Sequence, residues 1–237
     1  FANKYTNNML FRFADKVLLM SGTILNKNTF CQNIGVDPNK AEFLSMDSPF
    51  PVKNRPVFEV LSGSMGKKSI DKTLPLLVAT IKELLEHHKN EKGIIHCHNY
   101  KIAKYISDNI DSDRLLFHSS DDRIDVLNFH IKTSHPTVLV SPSFTEGIDL
   151  QGKLSRFQII AKIPFPFLGD NYVKEKMTRV KGCYEWQTLK SVIQASGRSV
   201  RDYDDYAITY ILDSDWIFLK NRNSDMIPIW FKNAIQK

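Results

Sequence analysis

Cysteine is scarce in this chain. Its 237 residues hold three, Cys31, Cys97 and Cys183, at wide spacing and with no CxxC pair. That argues against a disulfide framework, and against a zinc ribbon or iron–sulphur cluster built from this chain alone. The same usage points to a reducing, intracellular setting. Long apolar runs are lacking too. None approaches the ~18 residues of a membrane span, so no membrane partner is expected. The opening FANKYTNNMLFRF has no signal-peptide layout, and the chain starts at Phe1 rather than Met, which reads as a piece of a longer protein.

A phosphate-binding loop is also missing. GSMGKKS (63–69) looks like one at a glance, but the Walker pattern needs glycine, four residues, then Gly-Lys-Ser/Thr. Five positions before Gly66 stands Leu61, and Lys-Lys-Ser follows it. The stretch is expected to be a flexible polar linker, outside any strand–loop–helix unit, with the next helix starting near Asp71. The His-Cys-His run at 96–98 suggests a metal cluster. Strand alternation sends His96 and His98 to the face opposite Cys97, so no metal site is assigned.

Charge is present, and unevenly so. The net charge is +6, with a surplus of one positive charge in residues 1–150 and five in residues 151–237. A basic second half suits a phosphate-bearing partner. Short apolar runs predict strands at KVLLM (16–20), PVFEVL (56–61), GIIHC (93–97), RLLFH (114–118), TVLVS (137–141), FQIIAKI (157–163) and YAITYIL (206–212). Helices are predicted over 71–90, 100–110, 122–133 and a region of roughly 170–200, with short helices closing the chain. Leu74, Leu77, Val78, Ile81, Leu84 and Leu85 line one face of the first. Strands alternating with helices describe an α/β fold, a parallel sheet covered on both faces, of the P-loop or Rossmann general kind. Ligands in such sheets sit beyond the carboxyl ends of the strands, so the chemistry is expected there.

Four polar stretches fit that expectation: SGT (21–23), HNY (98–100), PSFTEGIDLQG (142–152) and QASGRSVR (194–201). In this order they resemble motifs of a known family. MSGTI resembles helicase motif III, GIIHCHNY motif IV, SPSFTEGIDLQG motif V and QASGRSVR motif VI, written Gln-x-x-Gly-Arg-x-x-Arg. MDSPFP (46–51), AKIPFPFLGD (161–170) and RDYDDYAITYILD (201–213) match one branch of that family. The chain thus resembles the second, C-terminal motor domain of superfamily-two DNA helicases of the xeroderma-pigmentosum-D and DinG type, from Lys16 onward.

The resemblance implies a RecA-like fold without its own Walker A loop. Residues 1–39 would be the tail of a first motor domain or a hinge, carrying motif III, and residues 40–237 the C-terminal RecA-like domain. It implies ATP and Mg²⁺ in the full-length protein, an iron–sulphur cluster possible only in the other half, and movement along single-stranded DNA from five-prime to three-prime. Partners would be single-stranded DNA and the first motor domain of the same chain.

Phosphoryl transfer spreads negative charge over the γ-phosphate oxygens, which a guanidinium stabilises. That assigns Arg198 and Arg201 as arginine fingers, three apart on a helical turn and converging on one phosphate group. Gln194 assists their positioning, and Gly197 lets the backbone approach closely. Glu146, Gly147 and Asp149 belong to the ATP side, Asp149 accepting from a ribose hydroxyl or from a finger arginine. Ser143, Thr145, His98 and Asn99 offer polar groups to a nucleic-acid backbone, and Tyr100 or Phe144 a ring to a base. Ser21, Gly22 and Thr23 couple the nucleotide cleft to the strand groove. Two other readings stay open: a catalytically inactive RecA-like module that binds nucleic acid or protein, and an RNA helicase domain. Motif VI of the RNA branches usually ends Gly-Arg-x-Gly-Arg, whereas here it runs Gly-Arg-Ser-Val-Arg.

Overall fold

The computed structural model describes residues 5–119, 121–142, 150–197 and 199–236, the side chain of Asn7 excepted. Its centre is a sheet whose inner strands are buried along their whole length: β2 (Gly93–His96), β4 (Val138–Ser141) and β5 (Phe157–Ile160). Runs this apolar need cover on both faces. With β1 (Val57–Gly63), β3 (Leu115–Phe117), β6 (Ile208–Asp213) and β7 (Ile235–Gln236) they form a seven-stranded sheet in the order β3-β4-β2-β5-β6-β1-β7. Each pairing is parallel.

Helices fill the connections. They are α1 (Thr6–Met9), α2 (Lys27–Ile34), α3 (Ile70–His87), α4 (Tyr100–Asn109), α5 (Arg123–Lys132), α6 (Asn171–Arg179), α7 (Cys183–Ser196), α8 (Asp215–Arg222) and α9 (Ile229–Lys232). The alternation of strand side chains sorts them. Ile95, Val138, Val140, Phe157, Ile159, Tyr210 and Leu212 pack under α3 and α4. Ile160 and Ile211 face α7 and α8, and Ile94 and Leu139 face α5. Burial of this kind stabilises by about 25 cal/mol per Å² of apolar surface. Close approach is needed at Gly93, where a Cβ would lie 2.5 Å from the Phe157 ring on the neighbouring strand. The helical region expected at 170–200 is two helices, broken by Gly182 in the left-handed region at φ 74°. No helix among the described residues is long and apolar enough to cross a membrane.

Three expectations are corrected. Residues 16–20 form no strand: Leu18 is 80% and Met20 84% exposed. An apolar run becomes a strand only when another strand takes up its N–H and C=O groups, and neither edge strand, β3 nor β7, pairs with it. Second, the 63–69 stretch is an ordered strand–loop–helix connection, leading directly from β1 into α3. Met65 is fully buried, its N–H donates to Asp213 at 3.0 Å, and its carbonyl accepts from Lys162 Nζ at 2.5 Å. Third, β2 stops at His96. His98 adopts φ 63°, so strand alternation does not reach it. Helix α2 was not predicted from apolar spacing, although its ends are marked in the sequence. Asn26 caps it by accepting from Thr29 N–H at 2.9 Å, and Gly35 closes it at φ 76°.

Candidate functional site

The residues singled out from sequence divide between two opposite edges of the sheet. Helix α7 runs back toward the amino ends of the strands. Its last residues, Gly197 and Arg201 therefore precede β6 rather than follow a strand. Gln158, second in β5, donates from Nε2 to the carbonyl of Ser196, the last residue of α7, at 2.6 Å. Asn54, just ahead of β1, donates to the carbonyl of Tyr203 at 2.8 Å. This corrects the expectation that all the chemistry lies past the carboxyl ends. A parallel sheet returns each covering helix to its amino edge, and motif VI rides on such a return.

A cleft of about 750 Å³ opens at that amino edge. Ser21, Gly22, Thr23, Gln194, Gly197 and Arg201 all line it, together with the MDSPF segment at 46–50. Gln194 donates from Nε2 to Thr23 Oγ1 at 2.9 Å, and the backbone N–H of Thr23 donates to Ser21 Oγ at 3.3 Å. One turn earlier on α7, the Trp186 indole N–H donates to the carbonyl of Ile24 at 2.7 Å. Thr23 is buried, while Ser21 and Gly22 are exposed. Arg201 stands beyond the helix, not on it, and its Nη1 donates to the Gly197 carbonyl at 2.9 Å. Gly197 has an ordinary φ of −93°, and a Cβ there would meet only the Ile193 carbonyl, at 3.4 Å. Arg55 supports the far wall, donating to the carbonyls of Phe50 at 3.0 Å and Trp230 at 2.7 Å. Burial holds its pKa below the usual arginine value. Arg55, Lys190 and Arg201 give the lining three cations against one carboxylate, Asp47. Such a surface is suited to a polyanion.

The carboxyl edge carries the other group. Asn99 caps α4 by accepting from Ile102 N–H at 2.9 Å. His98 makes a 2.9 Å hydrogen bond from Nε2 to the carbonyl of Phe165. Burial lowers its pKa, the Phe165 carbonyl opposes this, and Lys162 adds to it. Tyr100, at the start of α4, is exposed and sits edge-on to His118 at 6.4 Å between ring centres. A polar rim with an exposed ring is what a nucleic-acid strand can stack on and bond to. Ser143, Phe144, Thr145, Glu146, Gly147, Asp149 and Arg198 lie outside the described residues.

Sequence reasoning missed the group that shapes this rim. Asp213, the last residue of β6, is buried and accepts three backbone N–H bonds: from Met65 at 3.0 Å, Ile163 at 2.9 Å and Asp215 at 3.1 Å. Burial raises its pKa against those three bonds. One carboxylate thus ties the loops after β1, β5 and β6 together. A carboxylate closing an apolar strand was the available signal. Among the described residues no group of His, Cys, Asp and Glu side chains could hold a metal ion, so Mg²⁺ is assigned no ligands here. Cys31, Cys97 and Cys183 are buried free thiols whose pKa values burial raises.

Comparison with known proteins agrees with this architecture. The model of the helicase C-terminal domain family matches residues 81–234. The ATP-dependent DNA helicase DinG of Photobacterium profundum is 27% identical over 227 residues, covering 86% of this chain and 32% of that protein. The ATP-dependent DNA helicase CHL1 of Eremothecium gossypii is 26% identical over 156 residues, covering 50% of this chain and 20% of that protein. A solved apo XPD structure superposes with a TM-score of 0.71 at 19% identity, over 94% of this chain and 49% of that one. That likeness establishes a RecA-like fold. The chain spans about a third of the length of its DinG relative. It belongs to the helicase C-terminal domain family, as a C-terminal motor domain of the XPD and DinG type.

Proposed function

We propose that this chain is the second motor domain of an ATP-dependent DNA helicase. Its amino-edge cleft meets a nucleotide held by a first motor domain. Arg198 and Arg201 act there as fingers on the γ-phosphate, Gln194 positions them, and Glu146, Gly147, Asp149 and Gly197 complete the nucleotide side. The carboxyl edge, with His98, Asn99, Tyr100, Ser143, Phe144 and Thr145, forms part of the track for single-stranded DNA. The observation that carries the reading is the cleft itself. Motif III and motif VI converge in it through the Thr23–Gln194 bond, and its lining is cationic. Residues 1–39 link the two motor domains. The exposed apolar run at 16–20 supports this, since it has the composition of a strand and pairs with none here.

DNA is favoured over RNA by the Gly-Arg-Ser-Val-Arg spacing, and the similar proteins are themselves named DNA helicases. Magnesium enters with ATP and is held by groups outside the described residues. An iron–sulphur cluster has no cysteine set on this chain, and no step is routed through one. The test is Arg198→Ala and Arg201→Ala in the longer protein that carries both motor domains. Each is expected to lower DNA-stimulated ATP hydrolysis by about three orders of magnitude or more, the scale of an arginine finger. Binding of single-stranded DNA should be kept. Full turnover in either variant would refute the assignment.

A further inference from the structure

The strand FQIIAKI contains one residue that apolar patterning does not explain. Gln158 is fully buried in β5, on the face that packs against α7. Its Nε2 makes two hydrogen bonds, to the Ser196 carbonyl at 2.6 Å and to Thr209 Oγ1 at 3.1 Å, Thr209 being its register partner on β6. Its Oε1 has no hydrogen-bond partner among the described residues. Neither has the hydroxyl of Ser199, which is also fully buried and lies three residues beyond Ser196. Gln158 therefore holds the carbonyl at which α7 ends, immediately before Gly197 and the two arginines. On either side of that anchor stand an unmet acceptor and an unmet donor. Buried polar groups are almost always bonded, so such a pair marks a place where the chain has a second arrangement to reach.

We propose that Gln158 is the positioning residue of the arginine loop. Its Nε2 fixes Ser196, and its Oε1 captures the Ser199 hydroxyl when the loop closes on the nucleotide. The idea rests on the nucleotide-cleft reading above. It assigns Gln158 no contact with the nucleotide: the residue acts through the placement of Arg198 and Arg201. One hydrogen bond gained only on closure alters turnover and leaves ground-state affinity alone.

The test uses the longer protein with both motor domains, comparing Gln158→Met, which keeps shape and loses both polar groups, with Ser199→Ala and the double variant. Each single change is expected to lower kcat for DNA-stimulated ATP hydrolysis about tenfold, the scale of one hydrogen bond. KM for ATP and affinity for single-stranded DNA should stay within about threefold, and the double variant should be no worse than the poorer single one. Arg114→Lys, remote from the cleft and destabilising, serves as the control for lost stability without lost turnover. Should Gln158→Met fail to fold, Ser199→Ala decides alone. Unchanged kcat in Ser199→Ala, or multiplicative losses in the double variant, would overturn the proposal while Arg201→Ala still abolishes turnover. Full turnover in Arg201→Ala would instead remove the cleft reading, and this inference with it.

Discussion

Gln194 Nε2 donates to Thr23 Oγ1 across 2.9 Å, joining side chains 171 positions apart. This bond, with that from Trp186 to the Ile24 carbonyl, fastens the segment at 21–24 to α7. A shift of either segment must be felt by the other, which is what coupling between a nucleotide and a moving domain requires. Thr23→Val and Gln194→Met should each destabilise this chain by about 1 kcal/mol, the net worth of one hydrogen bond. Urea titration of the double variant should give a coupling energy of at least about 0.5 kcal/mol. Strict additivity would mean that the bond is not formed in solution.

The same geometry predicts inactivity of the isolated chain. The loop at 63–69 carries Lys67 and Lys68, but it is closed by Asp213 and Lys162 and lacks the Walker spacing. The purified 237-residue chain is expected to release no phosphate from ATP above background, with or without single-stranded DNA. Release stimulated by DNA would overturn the shared-site reading.

Arg114 is a stability residue whose side chain bridges three connections. It donates to the carbonyls of Pro136 at 2.7 Å, and of Leu85, His88 and Glu91 at 2.8 Å each. Those last three close α3, whose final carbonyls otherwise lack partners. A lysine cannot reproduce the fork. Arg114→Lys should cost about 2 kcal/mol and Arg114→Ala about 3 kcal/mol in a urea melt, since orphaned buried carbonyls carry their full desolvation penalty. A loss below about 0.5 kcal/mol in the alanine variant would contradict this assignment.

His130 predicts the pH dependence. Its ring is buried, bonded to Leu154 O and Thr137 Oγ1 at 2.8 Å each. Burial pushes its pKa down to about 4, opposed by the Leu154 carbonyl and assisted by Lys92. Between pH 6.5 and 4 the unfolded chain therefore binds the extra proton, so stability falls as pH falls through that window. The loss from this one group is at most about 3 kcal/mol. His88 and His98 shift in the same direction and steepen the fall. Urea midpoints measured across that window should decline less steeply in His130→Gln. An unchanged slope would place the proton uptake elsewhere.

Much of the fold is legible from the chain itself. Short apolar runs at 93–96, 138–141, 157–160 and 208–213 become strands because their residues are apolar on both faces, and a parallel sheet is the arrangement that buries both. The covering helices follow from apolar spacing. The failures are informative. Residues 16–20 have strand composition, yet a strand is completed by its neighbour and not by its own residues. The 63–69 loop reads as a flexible linker because its polar letters give no hint of a carboxylate 148 positions from Met65 that fixes it.

For the site, the sequence by itself determined which residue types carry the chemistry: the Gln-x-x-Gly-Arg-x-x-Arg run, the hydroxyls around Gly22, and the His-Asn-Tyr triplet. The reason is that charge, hydrogen-bonding capacity and ring area belong to each residue whatever the fold. Only the tertiary structure decided that these groups part company, Thr23, Gln194 and Arg201 at the amino edge and His98, Asn99 and Tyr100 at the carboxyl edge. That division comes from the direction in which each helix crosses the sheet, a long-range property that residues adjacent in sequence do not encode.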